Sequence, residues 1–452
     1  MTYYQEHQAE FLEGLKAFLR IPSISTLSEH KPDIRRAAEF ARDELRKAGM
    51  TTAELIEGEG NPLVYGEWLG APGKPTILVY GHYDVQPVDP LEAWQSPPFE
   101  PELRNNRVYA RGAEDNKGQL FAFLQGLAAL LDAGIALPSI RLVLEGQEES
   151  GSGGLLANLT GWRRRLQADV LMVADTGVDA SGRPAITAGL RGIVHLTVTL
   201  RGASGDLHSG SHGGLAPNAA AGMARLLASL HDAQGRIAVS GFLDRVEPPT
   251  PQELELATAE PFDAAAYERA AGVAPVGGEA GVPAIERVGF RPTIEVNGVH
   301  AGYGGPGNKT VLPAVAIAKL SARLCPQQSP REAGAQIVAH LRAHCPRGLT
   351  LECSDVTAGG PALRLPLQTP VVRLAEDVLR RLDPRGPVFR WEGGSIPVIG
   401  ALRDVSGASP LLVGFGADVD AAHAPNESFG LDQFQQCMIY TSLMLDAVAG
   451  NP

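Results

Sequence analysis

The sequence is short of cysteine, of long apolar runs and of basic clusters, and each shortage excludes a class of protein. Its four cysteines match no metal-binding spacing and no disulfide framework, so we expect a reducing compartment, the cytoplasm. No stretch of about 18 uninterrupted apolar residues is present, which argues against a membrane-spanning helix. The first eight residues lack the positive and apolar regions of a secretory signal, so we expect none. The four cysteines are Cys325, Cys345, Cys353 and Cys437.

The charge balance is acidic, with 51 Asp and Glu against 39 Lys and Arg and a formal net charge of -12. Such a surface repels phosphate backbones and anionic lipid headgroups, so neither nucleic acid nor a membrane is an expected partner. At 452 residues the chain exceeds the usual size of one domain, and a hydrophobic content of 44% can fill ordinary cores. We therefore expect a large enzyme with two domains, or one domain with a long insertion.

Short apolar runs alternate with amphipathic helical patterns in the first and last parts of the chain. Runs ending near residues 80, 144, 174 and 415 are bounded by Gly, Pro or Asp, which is typical of strands buried on both faces of a parallel sheet. Between about 187 and 361 the texture changes, and residues 192–201 alternate apolar and polar side chains, as in a strand covered on one face. We predict an α/β fold with a mostly parallel sheet flanked by helices. A catalytic domain of residues 1–186 and 362–452 is interrupted by an α+β insertion of residues 187–361.

Two adjacent glutamates, Glu148 and Glu149, follow one of these apolar runs directly. Adjacent carboxylates are costly to hold together without a cation, which indicates a metal. His82 and Asp84 follow the end of a second run, and Asp175 follows a third. Because ligands collect at the carboxyl ends of parallel strands, we expect these side chains to converge.

Two further candidates complete the set, one before a helix and one after the fourth apolar run. Asp115 precedes a helical pattern over residues 119–131 and could serve as its N-cap. His423 lies in a polar loop after the last apolar run.

The motifs 81–87 (Gly-His-Tyr-Asp-Val-Gln-Pro), 111–118 (Arg-Gly-Ala-Glu-Asp-Asn-Lys-Gly) and 145–152 (Glu-Gly-Gln-Glu-Glu-Ser-Gly-Ser), with Asp175 and His423, resemble the signatures of metallopeptidase family 20. The resemblance covers nearly the whole chain, with five spaced motifs in order. The family contains aminoacylases, carboxypeptidase G-like enzymes, succinyl-diaminopimelate desuccinylase and cytosolic dipeptidases.

One branch of the family fits best. The motif 81–87 and the segments 206–210 (Asp-Leu-His-Ser-Gly) and 390–397 (Arg-Trp-Glu-Gly-Gly-Ser-Ile-Pro) most resemble the nonspecific dipeptidase and carnosine dipeptidase branch. The resemblance implies that the insertion is a lid and dimerisation domain.

The resemblance also implies a centre of two divalent metal ions. His82 and Asp175 would hold one ion, Glu149 and His423 the other, and Asp115 would bridge both. Nitrogen and oxygen ligands without thiolate suit zinc, with manganese or cobalt as alternatives. Three carboxylates against two divalent ions leave about one positive charge, which a bridging hydroxide would neutralise.

Two side chains beside these ligands have expected roles of their own. Glu148, adjacent to a ligand, is the expected general base and acid, because it could take the proton of the attacking water and pass it to the leaving amine. Asp84, two residues beyond His82, is suited to hold the other ring nitrogen of that histidine.

Four residues are implied to contact the substrate. His208 would reach the active site of the partner subunit in a homodimer and donate to the developing oxyanion, whereas the nearby His212 is expected to be a surface residue. Thr310 and Arg323 match a family pattern in which the arginine grips the terminal carboxylate. Ser395 is a further candidate donor to that carboxylate.

We therefore predict a dinuclear metal-dependent hydrolase that cleaves the amide bond of dipeptides or short peptides with a free C-terminal carboxylate. The alternative is an N-acyl-amino-acid deacylase, which would share every metal ligand. A catalytically silent binding protein is less favoured, because every ligand position and Glu148 are intact. A phosphate-binding protein has little support, because the glycine-rich segment 302–307 lacks the Gly-Lys-Ser/Thr ending.

Overall fold

The computed structural model describes residues 2–70, 72–259 and 261–450. The helices are α1 (Thr2–Leu19), α2 (Lys31–Lys47), α3 (Lys117–Asp132), α4 (Gly153–Asn158), α5 (Arg163–Leu166), α6 (Ser209–His212), α7 (Ala219–Ala228), α8 (Pro251–Ala257), α9 (Ala264–Ala271), α10 (Ala284–Gly289), α11 (Pro330–Ala343), α12 (Pro370–Leu382), α13 (Ile399–Ser406) and α14 (Leu431–Val448). The strands are β1 (Thr52–Ile56), β2 (Leu63–Trp68), β3 (Thr76–His82), β4 (Glu102–Arg104), β5 (Arg107–Tyr109), β6 (Ser139–Glu145), β7 (Val170–Val173), β8 (Ala185–Leu190), β9 (Gly192–Arg201), β10 (Leu207–His208), β11 (Thr293–Ala301), β12 (Val311–Leu312), β13 (Val315–Leu324), β14 (Thr350–Ala358), β15 (Leu363–Arg364), β16 (Val388–Glu392), β17 (Ser409–Leu412) and β18 (Ser428–Gly430).

The chain forms two compact units. The first comprises the chain up to Ala188, Leu365–Arg390 and the chain from Val398 onward, and the second comprises Gly189–Arg364 and Trp391–Pro397. The interpretation of the second unit as a lid and dimerisation domain stays a prediction. In the described parts of the chain, no helix combines the length and the apolar character needed to cross a bilayer.

The first unit is built on a six-stranded sheet of order β1-β2-β6-β3-β7-β17. The last four strands in that order run parallel, while β1 and β2 form an antiparallel edge. All of β7 and six of the seven residues of β3 are buried, as expected for apolar strands in the middle of a covered parallel sheet. The carboxyl ends of β6, β3, β7 and β17 therefore meet at one edge of the sheet. The predicted α/β fold, with a central sheet flanked by helices, is confirmed.

Helix α3 is the most buried helix near this edge, because its sequence is apolar on nearly all sides. It packs against α14, and Gly126 allows the close approach. A β-carbon at Gly126 would lie 2.7 Å from the carbonyl oxygen of Met438, so a larger residue there would push the two helices apart.

The second unit contains a four-stranded antiparallel sheet of order β11-β13-β9-β14. Alternate residues of β9 (Val194, Leu196, Val198 and Leu200) enter a core that includes residues of α7 and α11. The expectation that β9 is covered on one face only is wrong, because Ile193, Thr197 and Thr199 on its other face are also buried. Lys319 of β13 reaches across the other face, and its Nζ donates to Thr197 Oγ1 at 2.7 Å.

Candidate metal centre

Three ligand candidates come from the edge where the parallel strands end. His82 is the last residue of β3 and is 1% exposed, Asp175 lies two residues after β7, and Glu149 lies four residues after β6. Asp115 and His423 enter the same place on loops, the first just before α3 and the second between β17 and β18. The structure thus brings all five sequence-predicted ligands together.

These five side chains form two groups of three that share Asp115. In the first group, His82 Nε2 lies 3.0 Å from Asp115 Oδ1 and 3.6 Å from Asp175 Oδ1. In the second, His423 Nε2 lies 2.8 Å from Asp115 Oδ2 and 3.3 Å from Glu149 Oε1. The carboxylate of Asp115 therefore presents one oxygen to each group, which is the arrangement expected of a ligand bridging two ions.

The donor atoms fit divalent ions. His82 Nε2 and Glu149 Oε1 are buried and make no hydrogen bond, although buried polar atoms are nearly always satisfied. Each of these atoms belongs to one of the two groups. Imidazole nitrogen and carboxylate oxygen without sulfur are the donors that zinc, manganese and cobalt accept.

The electrostatics of the carboxylates point the same way. Burial raises the pKa of Asp175 to about 6, and the charge of Asp115 adds to this effect. Burial also raises the pKa of Glu149, and it raises the pKa of Glu148 well above its usual value. Ionising these groups side by side is unfavourable, and a divalent cation is the partner that would reverse this.

The two histidines and Asp115 compensate one another in part. The close carboxylates of Asp115 and Glu149 raise the pKa of His423 to about 11. Burial lowers the pKa of His82, but the charge of Asp175 and the close carboxylate of Asp115 outweigh it, so the pKa ends well above its usual value. Burial likewise opposes ionisation of Asp115, yet the two nearby histidines hold its pKa below the usual value.

Asp84 contacts more than the histidine for which it was predicted. Its Oδ1 lies 3.4 Å from His82 Nδ1, and that nitrogen is also 3.2 Å from the carbonyl oxygen of Asp84. The same carboxylate accepts the backbone N–H of Glu148 at 3.2 Å and that of Glu149 at 3.1 Å. Asp84, which is fully buried, thus joins the end of β3 to the turn that carries both glutamates.

The expectation that Asp115 caps the following helix is wrong. Helix α3 begins at Lys117, and its N-cap is Asn116, whose side chain makes no capping hydrogen bond. Asn116 instead donates its Nδ2 to the carbonyl of Ala174 at 2.6 Å. The carboxylate of Asp115 is directed to the two histidines, so neither side chain is available to the helix N-terminus.

His423 is presented by an unusual backbone. Its φ is 63°, and Ala421 and Asn426 in the same loop have φ of 56° and 65°. The left-handed region costs a residue other than glycine about 1 to 2 kcal/mol. Strain of this kind concentrates at functional sites, where the surrounding structure holds it in place.

Of the predicted substrate residues, His208 and Thr310 are brought together in the second unit. β10 pairs with β12 so that His208 lies opposite Val311, and the N–H of Ser209 donates to the carbonyl of Thr310 at 3.0 Å. His208 Nδ1 accepts the N–H of Gly210 at 3.1 Å. A neutral His208 must therefore carry its proton on Nε2, where it can be donated.

Arg323 and Ser395 form a second pair in that unit. Arg323 Nη1 donates to Ser395 Oγ at 2.9 Å, and the hydroxyl of Ser395 donates to the carbonyl of Arg191. Within the described ranges, Arg323 makes no ion pair with a carboxylate. A guanidinium held in this way is free to receive an anionic ligand.

A profile of peptidase family M20/M25/M40 matches residues 78–447. This range is most of the chain and contains all five residues of the two groups.

The chain belongs to peptidase family M20/M25/M40.

Known M20 proteins resemble this chain over nearly its full length. It is 28% identical over 455 residues to the Cys-Gly metallodipeptidase DUG1 of Candida albicans, covering 95% of this chain and 93% of that protein. The M20 family metallo-carboxypeptidase Sso-CP2 of Sulfolobus solfataricus superposes with a TM-score of 0.87 at 32% identity, covering 97% of this chain and 99% of the other. Human carnosine dipeptidase 1 superposes with a TM-score of 0.84 at 26% identity, covering 99% and 98%. The chain is therefore a metallopeptidase.

Sequence reasoning missed two residues of this M20 peptidase, Gln86 and Arg191. Gln86 Nε2 donates to Glu149 Oε2 at 2.7 Å, which leaves Oε1 of that glutamate for an ion. Arg191 holds the turn before Ser395, because its backbone N–H donates to Gly394 at 3.0 Å and its Nε donates to Gly393 at 3.2 Å. Gln86 stands inside the motif 81–87, so its position was a signal, whereas nothing in the local sequence connects residue 191 with the turn at 393.

Proposed function

We propose that this M20 metallopeptidase is a dinuclear dipeptidase that hydrolyses the amide bond of dipeptides or short peptides with a free C-terminal carboxylate. The observation that carries the proposal is the position of Asp115, with one carboxylate oxygen in each of two groups of potential ligands. The names of two relatives, a Cys-Gly metallodipeptidase and a carnosine dipeptidase, support a dipeptide substrate.

In this proposal His82 and Asp175 would hold one ion, Glu149 and His423 would hold the other, and Asp115 would serve both. Zinc is the proposed metal, with manganese or cobalt as alternatives, because the donors are nitrogen and oxygen. When bound, two such ions would supply Lewis acidity for the scissile carbonyl and for the attacking water.

Glu148 is the proposed general base and general acid. Its carboxylate belongs to neither group of ligands, while its backbone is anchored by Asp84 next to the ligand Glu149. A carboxylate in that position can accept a proton from the attacking water and return it to the nitrogen of the leaving amine. Asp84 supports the step by holding His82 and the turn of the two glutamates.

The second unit would bind the substrate. Arg323 is the proposed clamp for the terminal carboxylate, since it makes no ion pair in the described structure and its planar fork suits bidentate binding. Ser395 can join the clamp if its hydroxyl proton turns from the carbonyl of Arg191 to the ligand. Thr310 lies beside His208 and is a proposed neighbour of the substrate.

We also propose a homodimer in which His208 of one subunit donates to the oxyanion formed in the partner's active site. Its Nε2 is the available donor, because Nδ1 accepts from Gly210. The catalytic domain is proposed as residues 1–186 and 362–452, and the lid and dimerisation domain as residues 187–361. A cytoplasmic location is consistent with the four cysteines, all of which are free thiols.

The proposal is tested by an assay with zinc, manganese or cobalt on matched substrates: free dipeptides, the same dipeptides amidated at the C-terminus, and N-acyl amino acids. We expect turnover of free dipeptides, weak turnover of amidated ones, and loss of activity with a chelator. Asp115→Asn is the control, because it removes one bridging oxygen and should be inactive. Turnover confined to N-acyl amino acids would replace the proposal with a deacylase, and activity that a chelator leaves intact would end it.

A further inference from the structure

Glu427 is a completely buried carboxylate in the segment that follows His423. A buried carboxylate is tolerated only where charged or hydrogen-bonding partners replace the lost water. The partners of Glu427 belong to the loop that carries the ligand Asp115.

Both oxygens of Glu427 are saturated by this loop. Oε2 accepts from Arg111 Nη1 at 2.8 Å and from the N–H of Gly112 at 2.9 Å. Oε1 accepts from the N–H of Glu114 at 2.9 Å and from that of Asp115 at 3.0 Å. One side chain therefore receives three backbone N–H groups and a guanidinium from four of the five residues 111–115.

The backbone of Glu427 adds a fifth connection to the same loop. Its carbonyl oxygen accepts the N–H of Ala110 at 3.0 Å. The next residue, Ser428, pairs with Tyr109 where β18 meets β5. The loop of Asp115 and the segment after His423 are thus joined by several hydrogen bonds at successive residues.

This connection joins two ligands of the same group. Asp115 Oδ2 lies 2.8 Å from His423 Nε2. His423 is only four residues before Glu427 in the chain. The chain distance between Asp115 and His423 exceeds 300 residues, so their separation must be set by contacts of this kind. Arg111, 1% exposed, balances the charge that Glu427 brings close to the acidic ligands.

We propose that Glu427 is a positioning residue of the metal centre, which sets the separation of Asp115 and His423 and thereby the affinity for the ion held by Asp115, Glu149 and His423. The inference rests on the proposed ligand set. Partners of this kind behind metal ligands typically change metal affinity by about 10- to 100-fold when they are replaced.

The test compares Glu427→Gln with the matched control Glu253→Gln. An amide has the same shape as the carboxylate but offers one acceptor and one donor, so it cannot receive N–H groups on both sides. Glu253 is also a buried carboxylate paired with an arginine, but it belongs to the second unit, where its partners are Arg364 and Thr250. Both variants should lose thermal stability.

The decisive readouts are Co²⁺ affinity and stoichiometry, measured by calorimetry, and the visible spectrum of bound Co²⁺. We expect Glu427→Gln to lower the affinity for one of the two Co²⁺ ions by about 10-fold or more and to change the Co²⁺ spectrum. Glu253→Gln should keep the wild-type affinities and spectrum. Equal affinities and spectra in wild type and Glu427→Gln would overturn the inference, as would an equal loss in the control.

A second variant decides the question if Glu427→Gln does not fold. Glu427→Asp keeps the charge but withdraws the carboxylate by one methylene, and we expect a several-fold loss of affinity for one ion; unchanged affinity would overturn the inference. A wild-type protein that binds no divalent ion would overturn the ligand set itself. Binding by wild type with no effect of either substitution would overturn only the role of Glu427.

Discussion

The acids of the metal centre in the first unit and the buried Glu253 in the second unit have opposite surroundings. In the first unit, burial and neighbouring acids raise the pKa of Asp175, Glu148 and Glu149. In the second unit, burial also opposes the ionisation of Glu253, but hydrogen bonds from Arg364 and Thr250 outweigh it and its pKa lies below the usual value.

The direction of the pKa shift separates acids that stabilise the folded protein from acids that need a bound cation to become stable as anions. Glu253 closes a capping box with Thr250 at the start of α8 and pairs with Arg364 within the same unit. The acids of the metal centre are partly compensated by two histidines whose pKa is raised. Two of the potential ligand atoms, His82 Nε2 and Glu149 Oε1, still make no hydrogen bond. Those unfavourable contacts are the expected consequence of preparing a site for cations.

The largest expected effect is on catalysis by a carboxylate of the first unit. Glu148→Ala should lower turnover by about 1,000-fold, because a general acid-base step supplies about 100- to 10,000-fold. Steady-state kinetics and metal analysis check this together. Glu149→Ala is the control that should lose an ion, whereas Glu148→Ala should keep both; unchanged turnover would remove the assigned role.

Two arginines of the second unit extend the comparison to cations. Arg364 is paired with Glu253, whereas Arg323 has no carboxylate partner in the described ranges. Arg323→Met should raise KM for free dipeptides by about 10- to 100-fold, because a hydrogen bond to a charged group contributes about 1.5 to 3 kcal/mol. Comparing free with amidated dipeptides gives the measurement, and the variant should no longer prefer the free acid. Arg364→Met should lower stability and leave that preference intact; if both variants behave alike, the clamp is wrongly assigned.

Glu253→Gln should lower the free energy of unfolding by about 1 to 3 kcal/mol at pH 7, because Arg364 and the N–H of Thr250 lose a buried charged acceptor. The folded pKa of Glu253 is depressed. Its contribution is therefore present above the unfolded value of about 4.3 and is lost as the pH falls through the folded value. Urea unfolding at pH 7 and near pH 3 should show a difference that shrinks with acid; a pH-independent difference would contradict the assignment.

The smallest expected effect has the opposite sign. In metal-free protein, Asp175→Asn should raise the free energy of unfolding at pH 8 by about 1 to 3 kcal/mol, since one pKa unit corresponds to about 1.4 kcal/mol. The folded pKa of Asp175 is about 6, above the unfolded value of about 3.9, so its penalty is complete above about pH 6 and absent below about pH 4.

Thermal unfolding of metal-free wild type and Asp175→Asn at pH 8 and pH 4 measures that gain. The stabilisation should disappear at pH 4, and added zinc should stabilise only the wild type strongly. A metal-free variant that is less stable than wild type at pH 8 would show that the crowded acids are not a source of instability.

Strand ends were the part of the site that sequence could predict best. His82, Glu149 and Asp175 follow apolar runs, and parallel strands necessarily bring such positions to one edge. Asp115 and His423 come from loops whose paths depend on distant contacts. The sequence alone made them candidates, but only the family resemblance assigned them to the metal ions. The helix after Asp115 was predicted to start at residue 119 and starts at Lys117, with Asn116 as its N-cap. The carboxylate of Asp115 lies beside the histidines instead.

Contacts to the backbone were beyond sequence reasoning. Asp84 was expected to hold a ring nitrogen, and it also receives the N–H groups of Glu148 and Glu149, 64 and 65 residues away. The segment Trp391–Pro397 belongs to the second unit, although it lies in a part of the sequence where the helix and strand patterns of the first unit have resumed. Periodicity reports which side chains are covered, but not which backbone groups a folded turn will present.

The loop of His423 limits how this centre could be moved to another protein. Left-handed backbone at Ala421, His423 and Asn426 aims the imidazole, and alanine in particular does not adopt that conformation readily. A design that copied only the five ligand residues onto a new scaffold would lack the backbone conformation that orients the imidazole of His423. Transplantation would therefore have to carry the whole stretch from residue 421 to residue 426 as one piece.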